Sequence, residues 1–286
     1  MTDVTPPIKV SGVPLDSRAA RRIKAGEGGM AERLGFRMQR IPALIVTWIV
    51  ANVGALLLAG VMICIGLFIT NVLLPIDAVS RADEWLPKWM EGQRTPFLTD
   101  ASYVASTAAD RPVLIPLVAF TLLFLVVRRR WRMGSFVLQA ILAEVLTYGL
   151  VTHFVSRDRP PVEQMDQFNL THSYPSGHVA ASVAVYGALG LLLAAHFKDI
   201  RVRVLIWSVA AAFPLIVASS RIYRGEHHPI DVIAGSLMGV GALCVALFAA
   251  RTARHVAELR TVKHAERHVA EDPSDAPVDA PVEAPA

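Results

Sequence analysis

Six long apolar segments constrain the fold of this chain more than any other feature of its sequence. The first, Ile41–Leu74, carries no charged residue and is longer than the roughly 20 residues that a transmembrane helix needs. The other five are Pro112–Val127, Phe136–Val155, Val179–Phe197, Val204–Ser219 and Ile230–Ala250. Of the 286 residues, 53% are hydrophobic and 18% are charged, which is typical of a membrane protein. The sequence therefore predicts an all-α fold, a polytopic membrane bundle of six transmembrane helices.

The polar residues divide the rest of the chain into segments. Residues 1–40 are a basic N-terminal segment without the apolar region of a cleaved signal peptide. Residues 41–250 hold the six-span domain, and residues 251–271 are predicted to form a basic helix. Residues 272–286 are rich in Pro, Ala and acidic residues, so we predict that this tail is disordered. The sixth apolar segment carries Gly235 and Gly239 four residues apart, a small-residue face that favours close helix packing.

The distribution of Lys and Arg predicts the orientation of the spans. Six spans place both termini on one side of the membrane. If that side is the cytoplasm, its segments hold 20 Lys and Arg residues against 8 on the opposite side, as the positive-inside rule requires. We therefore predict a multi-pass plasma membrane protein with cytoplasmic termini. Three polar stretches, Arg157–Pro160, Pro175–His178 and Ser220–Asp231, then meet at the outer face.

The charged and aromatic residues between the spans indicate a lipid partner rather than a nucleic acid. The net charge is only +4, and the basic run Arg128–Arg132 lies between two spans, where a cytoplasmic anchor is expected. Trp85 and Trp89, in the polar segment Leu74–Arg111, favour a short helix at the membrane interface. No feature of the sequence predicts an oligomeric state.

The stretch Pro175–His178 has the features of an anion site at a helix N-terminus. Ser176 is a suitable N-cap, and Gly177 allows the backbone to come close to a ligand. The free N–H groups of such a helix end attract phosphate. His178 would face the anion with a side chain that titrates near neutral pH.

The stretch Ser220–Asp231 adds a second histidine beside a carboxylate. His227 and Asp231 are four residues apart at a helix start, so the carboxylate is predicted to accept a ring N–H of His227. A histidine oriented in this way is a nucleophile or a base. Clustered arginines on the same side indicate a phosphate ligand, and they are Arg157, Arg159, Arg221 and Arg224.

These three stretches resemble the type 2 phosphatidic acid phosphatase family, which shares its site with vanadium haloperoxidases and glucose-6-phosphatase. The family pattern is K-x6-R-P, P-S-G-H and S-R-x5-H-x3-D. Arg159-Pro160 matches the end of the first part, Pro175–His178 the whole of the second, and Ser220-Arg221 with His227 and Asp231 the whole of the third. The resemblance covers roughly residues 41–250.

The resemblance implies a mechanism residue by residue. His227 would form a phosphohistidine, Asp231 would orient it, and His178 would protonate the leaving group and then activate water. The phosphoryl oxygens would be held by Arg159, Ser176, Gly177 and Arg221. The resemblance implies neither a metal nor a cofactor.

One position departs from the family pattern. The lysine of the first part is replaced by Thr152. We hypothesise that His153 or Arg157 takes over the phosphate contact of that lysine. Arg224 and His228 are further candidates for substrate binding, His228 through the lipid headgroup.

The sequence therefore predicts a membrane lipid phosphatase that acts at the outer face. Phosphatidic acid, phosphatidylglycerol phosphate and a polyprenyl phosphate or pyrophosphate are all candidate substrates. One alternative is a phosphotransferase, which passes the phosphoryl group to another acceptor instead of water. Another is a non-catalytic membrane protein that binds or transports an anion.

Overall fold

The computed structural model describes residues 8–10, 13–15, 29–166 and 172–271. For residues 8–10, 13–15 and 265–271 it describes the backbone alone. The predicted disordered tail, residues 272–286, lies outside the described residues, as does most of the basic N-terminal segment.

The regular secondary structure of the described residues is helical apart from one short antiparallel hairpin, in which β1 (Ile8–Val10) pairs with β2 (Val13–Leu15). The π-helical turn Ile69–Leu73 continues α2 without a break. The α-helices are α1 (Met30–Arg37), α2 (Ala43–Phe68), α3 (Asp77–Glu91), α4 (Pro96–Thr107), α5 (Arg111–Val127), α6 (Trp131–Phe154), α7 (Gly177–Ala194), α8 (Ile200–Tyr223) and α9 (Pro229–Glu271).

Within the described residues, six helical stretches are long and apolar enough to cross a membrane. They are Ala43–Leu73, Pro96–Val127, Trp131–Phe154, Gly177–Ala194, Ile200–Tyr223 and Pro229–His264. The predicted all-α bundle with six spans is confirmed. The predicted helix of residues 251–271 is also present, as the continuation of α9. A helix is the expected form of such segments because a bilayer offers no water to the backbone N–H and C=O groups.

Two further helices lie between the first two spans predicted from the sequence. The predicted short helix in Leu74–Arg111 is present as α3, and α4 follows it. Trp85 and Trp89 of α3 are exposed and stack on each other, with ring centroids 6.1 Å apart. Thr95 caps α4 by accepting the N–H of Leu98 at 3.3 Å.

Small residues let the helices approach closely and thereby position the site. On α9, a Cβ added to Gly235 would lie 2.4 Å from the carbonyl oxygen of Ser176. A Cβ on Gly239 would lie 2.7 Å from the carbonyl oxygen of Ala180. The predicted small-residue face therefore packs on the first turn of α7. This close approach allows the N–H of Ser176 to donate to the carbonyl oxygen of Asp231 at 3.0 Å.

The chain divides into two compact units, Met1–Val50 with Phe248–Ala286, and Ala51–Leu247. In the first unit α1 packs on the end of α9, where a Cβ on Gly35 would lie 2.9 Å from the carbonyl oxygen of Thr252. The second unit contains every candidate site residue.

Candidate active site

The three predicted stretches meet at one end of the helices of the second unit. Arg159 follows α6, Ser176 precedes α7, and His227 lies between α8 and α9. Hydrogen bonds connect the three: Arg159 donates to the carbonyl oxygen of Glu226 at 2.9 Å, and His227 bonds to the carbonyl oxygen of Ser173 at 2.7 Å. The convergence expected from the topology is therefore present in the structure.

The ring of His227 is held in one tautomer. Its Nδ1 lies 2.7 Å from the carbonyl oxygen of Ser173, and because a carbonyl only accepts, Nδ1 must carry the hydrogen. The Nε2 lone pair is then available as a nucleophile. Burial lowers the pKa of His227 to about 3, against the opposing effect of Asp231, and the charges of Arg221, Arg159 and His178 lower it further. The ring is therefore neutral at neutral pH.

The predicted hydrogen bond between His227 and Asp231 is not formed. His227 Nδ1 lies 3.9 Å from the carboxylate, which instead accepts the backbone N–H of His228 at 2.9 Å and its Nδ1–H at 3.2 Å. The reason is that α9 begins at Pro229, so His227 precedes the helix and the spacing of a helical turn does not apply. The predicted headgroup residue His228 is buried and bonded to Asp231.

Arg157 lies between two carboxylates. It donates through Nη1 to Asp231 and through Nη2 to Asp83 of α3, and all three side chains are buried. The other oxygen of Asp83 accepts the N–H of Ile230 at 3.0 Å. Arg157 therefore joins α3 to the start of α9. This arrangement does not favour the predicted substitution of Arg157 for the lysine, because both ends of its guanidinium already bind carboxylates.

The arginines expected to hold phosphate are grouped around Glu226. This carboxylate is fully buried, accepts a hydrogen bond from Arg159 Nη1, and lies 3.7 Å from Arg221 Nη2. Burial raises the pKa of Glu226, and the charges of Arg221 and Arg159 oppose that effect. Ser106 of α4 accepts a hydrogen bond from Arg221 Nη1 at 2.9 Å. The guanidinium groups of Arg159 and Arg221 are thus held in place by Glu226, and that of Arg221 also by Ser106.

A second carboxylate, that of Asp166, binds Arg221 and Arg224. Its Oδ2 lies 2.6 Å from Arg221 Nη1, and its Oδ1 lies 3.0 Å from Arg224 Nε. Burial alone would raise the pKa of Asp166, but the hydrogen bond from Arg224 and the charge of Arg221 lower it below its ordinary value. Arg224 also donates to Ser102 Oγ at 3.2 Å and stacks over the ring of Tyr103.

The N-terminus of α7 has the features of an anion site. Ser176 occupies the N-cap position as predicted, but its hydroxyl caps no N–H of the helix. That oxygen is buried and has no hydrogen-bond partner among the described residues. A buried polar atom without a partner is costly, and a phosphate oxygen would satisfy it. A Cβ on Gly177 would lie 2.8 Å from the ring of Tyr148, so a larger residue there would require that ring to move.

His178 is paired with a residue that the sequence analysis did not single out. Its Nε2 lies 2.9 Å from Oδ1 of Asp110, the residue before α5. Because the carboxylate accepts, this nitrogen carries the hydrogen. The side chain of His178 remains 23% exposed, whereas His227 is buried.

Thr152, at the position of the family lysine, and its neighbour His153 make no contact with the arginines among the contacts described. The hydroxyl of Thr152 donates to the carbonyl oxygen of Tyr148 on its own helix at 2.9 Å. His153 is exposed, and its ring packs edge-on against Phe154 with centroids 5.0 Å apart. The predicted phosphate contact of His153 thus remains without support from the geometry.

Several residues that contact the candidate site were not predicted from the sequence, among them Ser173, Asp83, Ser106, Asp110, Asp166 and Glu226. Asp110 precedes an Arg-Pro pair at a helix start, which is typical of an ordinary N-cap. Glu226 stands next to His227, and this adjacency was the one local signal available. Across the described residues, no three His, Cys, Asp or Glu side chains are grouped as a metal site requires.

Comparisons with known proteins agree on one family. Residues 55–254 match the family model described as the PAP2 superfamily, which covers more than half of the chain. A stretch of 136 residues is 33% identical to the undecaprenyl-diphosphatase of Sulfolobus acidocaldarius, over 44% of this chain and 58% of that protein. A stretch of 168 residues is 24% identical to phosphatidylglycerophosphatase B of Bacillus subtilis, over 57% of this chain and 81% of that protein. The match thus spans little more than half the length of the Sulfolobus relative.

A solved structure shares the fold. The crystal structure of a transmembrane PAP2 type phosphatidylglycerolphosphate phosphatase from Bacillus subtilis superposes with a TM-score of 0.54 and 23% sequence identity. The superposition covers 69% of this chain and 92% of that one.

Proposed function

Because the chain belongs to the PAP2 superfamily, we propose that it is an integral membrane lipid phosphatase that uses His227 as its nucleophile. Its substrate is the phosphate monoester or pyrophosphate of a lipid, and the reaction takes place at the outer face. The observation that carries this proposal is the pairing of a neutral His227, with Nε2 available, and the partially exposed His178 beside an unsatisfied Ser176 hydroxyl. A purely structural cluster would have no need of an available nucleophile next to a buried hydroxyl without a protein partner.

In the first step His227 Nε2 attacks phosphorus, a P–N bond forms, and the P–O bond to the lipid breaks. His178 gives its proton to the leaving oxygen, so the lipid departs as a neutral alcohol, or as a phosphate when the substrate is a pyrophosphate. The Nδ1–H bond to Ser173 stabilises the positive charge that develops on the His227 ring. Asp231 acts on that charge from 3.9 Å.

In the second step water attacks the phosphohistidine. His178, now neutral, takes a proton from the water while the water oxygen bonds to phosphorus. The P–N bond breaks, inorganic phosphate leaves, and His227 returns to its neutral form.

Positive groups of the protein stabilise the charge on the phosphoryl oxygens in both steps. Arg159 and Arg221 supply fixed charge, and the Ser176 hydroxyl with the Gly177 N–H supplies hydrogen bonds at the N-terminus of α7. With this field in place the proposed reaction requires no metal ion and no cofactor.

The orientation of the protein is part of the proposal. The excess of Lys and Arg on the side of the termini supports cytoplasmic termini in a plasma membrane, with the site at the outer face. The substrate then comes from the outer leaflet of the bilayer. The relatives' names, an undecaprenyl-diphosphatase and a phosphatidylglycerophosphatase, favour polyprenyl pyrophosphate and phosphatidylglycerol phosphate over phosphatidic acid.

The test is phosphate release from these three lipid phosphates in detergent with excess chelator. Wild type is compared with His227→Ala and with the control His153→Ala, an exposed histidine at the same end of the helices. We expect wild type and His153→Ala to release phosphate and His227→Ala to release none. Loss of wild-type release on adding chelator would contradict metal independence.

The two alternatives give different results in the same assay. A phosphotransferase would release little phosphate until an alcohol acceptor is added, and the phosphoryl group would then appear on that acceptor. A non-catalytic anion-binding protein would bind the lipids without turnover of any of them. Full release in water alone would contradict both.

A further inference from the structure

The carboxylate of Asp166 lies where two arginines of the site present their N–H groups. It bonds to Arg221 Nη1 at 2.6 Å and to Arg224 Nε at 3.0 Å and 3.1 Å. A carboxylate offers two oxygens and a single negative charge, and arginine binds it with the same fork of donors that binds phosphate. The chain thus supplies its own anion to a pair of arginines beside the nucleophile.

The Arg221 side chain is only 1% exposed, and its two Nη groups already have protein partners, so a phosphate that binds these groups takes the place of one of them. Ser106 belongs to α4 and is buried, and Glu226 is fully buried. Asp166 belongs to an irregular segment and its side chain is 15% exposed. Of these three, Asp166 is therefore the partner that an incoming anion displaces most easily.

The backbone around Asp166 is held independently of its carboxylate. Its N–H donates to Glu226 Oε1 at 3.0 Å, and the N–H of Met165 donates to the carbonyl oxygen of Arg224 at 3.1 Å. Arg94 donates to the carbonyl oxygen of Glu163 at 2.6 Å. Displacing the carboxylate thus requires only a rotation of the Asp166 side chain.

We propose that Asp166 is an internal competitor for Arg221 and Arg224, which weakens the binding of every anion there, so that a strongly bound terminal phosphate still occupies the arginines and the weakly bound phosphodiesters of the bilayer do not. The proposal rests on the proposed lipid phosphatase function and assigns a selectivity to its site. A terminal phosphate carries about −1.5 to −2 charges and three acceptor oxygens. A phosphodiester carries one charge, so replacing the Asp166 carboxylate with it brings the arginines no additional negative charge.

This competition matters because the membrane surrounds the site with other phosphate-containing lipids. The phospholipids of the surrounding bilayer are mostly phosphodiesters and are present in large excess over any terminal lipid phosphate. By mass action they would occupy an open arginine cluster. A built-in competing anion lowers the apparent affinity of both kinds of ligand by the same factor, so the more weakly bound phosphodiester no longer fills the arginines at its bilayer concentration.

The experiment compares Asp166→Asn with the control Glu163→Gln. The control removes the same charge from the same segment, but Glu163 is exposed and pairs with Arg94 at 3.6 Å, outside the site. For each protein in detergent, the affinities for glycerol 3-phosphate and for dimethyl phosphate are obtained from ligand-dependent shifts of the unfolding temperature. In parallel, phosphatidylglycerol is titrated into the hydrolysis assay as a phosphodiester inhibitor.

For Asp166→Asn we expect the affinities for glycerol 3-phosphate and for dimethyl phosphate both to rise about tenfold, as loss of a charged hydrogen bond to the competitor implies. Phosphatidylglycerol then inhibits this variant at about tenfold lower concentration than wild type. Glu163→Gln should match wild type in both measurements. If Asp166→Asn is poorly folded, Asp166→Ser is measured in its place.

Two results would overturn the proposal. One is an unchanged affinity for both ligands, and the other is weaker binding of both ligands, which would make Asp166 a support for the arginines. The binding measurement needs no turnover, so it decides the role of Asp166 even if wild type hydrolyses no lipid. Absence of hydrolysis together with raised affinities would refute the proposed phosphatase and leave the competition by Asp166 standing.

Discussion

The Nδ1 nitrogen of His227 lies 2.7 Å from the backbone carbonyl oxygen of Ser173. The orientation of the proposed nucleophile therefore depends on a main-chain group, and the Asp231 carboxylate lies farther away at 3.9 Å. A backbone carbonyl keeps this role whatever side chain stands at position 173. Asp231 is left to hold Arg157 and His228, which gives it a structural role that mutagenesis can separate from catalysis.

Arg157→Gln should destabilise the protein strongly, because it leaves the buried carboxylates of Asp83 and Asp231 without their partner. Removing one member of a buried ion pair costs about 3–5 kcal/mol. The matched control is Arg81→Gln, whose ion pair with Asp77 is largely exposed and should contribute little. Thermal unfolding in detergent measures both. Equal unfolding temperatures for the two variants would contradict the structural role of Arg157.

Ser176→Ala should lower kcat/KM about tenfold without loss of stability, because its hydroxyl has no hydrogen bond to lose among the described residues. The control is Ser182→Ala on the same helix, where the buried hydroxyl donates to the carbonyl oxygen of Val179 at 2.8 Å. That variant should lose some stability and keep its activity. Initial rates and unfolding temperatures together distinguish the two serines, and unaltered kinetics for Ser176→Ala would exclude the hydroxyl from the anion site.

Gly235→Ala should reduce both stability and activity, since the added Cβ would lie 2.4 Å from the carbonyl oxygen of Ser176. To relieve that contact the first turn of α7 must shift, and the anion site shifts with it. Gly60→Ala is the control, because a Cβ there meets no atom within 4 Å and alanine favours a helix by about 1 kcal/mol. Unfolding temperature and kcat/KM are measured for both. A Gly235→Ala variant as active as Gly60→Ala would show that the site tolerates this shift.

The pH dependence of stability should report the buried His227. Its pKa is lowered from 6.5 to about 3 in the folded protein, chiefly by burial. Below pH 6.5 the ring of His227 is protonated in the unfolded chain but stays neutral in the folded protein. Its contribution to the free energy of unfolding is therefore complete above pH 6.5 and is lost as the pH falls towards 3. Between pH 7 and pH 5, the unfolding temperature of wild type should therefore decrease more than that of His227→Gln.

The exposed histidine variant His153→Gln serves as the control in that pH series and should follow wild type. Parallel curves for wild type and His227→Gln would mean that His227 is accessible to protons in the folded state, which would contradict its burial.

The six spans, the all-α class and the three stretches of the candidate site could be predicted from the amino-acid sequence. Hydropathy acts along contiguous segments, and the features that favour an anion at the start of α7, Ser176 and Gly177, lie within four residues of each other. The close packing of Gly235 on α7 could also be predicted, because small residues four apart on a membrane helix favour close approach of a neighbouring helix.

Which charged side chains pair with each other could be seen only in the tertiary structure. Arg157 bonds to Asp83, and His178 to Asp110, across 74 and 68 residues of chain. Asp166 reaches Arg221 across 55 residues. A single acidic residue in a polar loop carries no local signal of its partner, because the choice depends on which helix ends the packing brings together. In a buried site the cost of an unpaired charge then makes each such pairing specific.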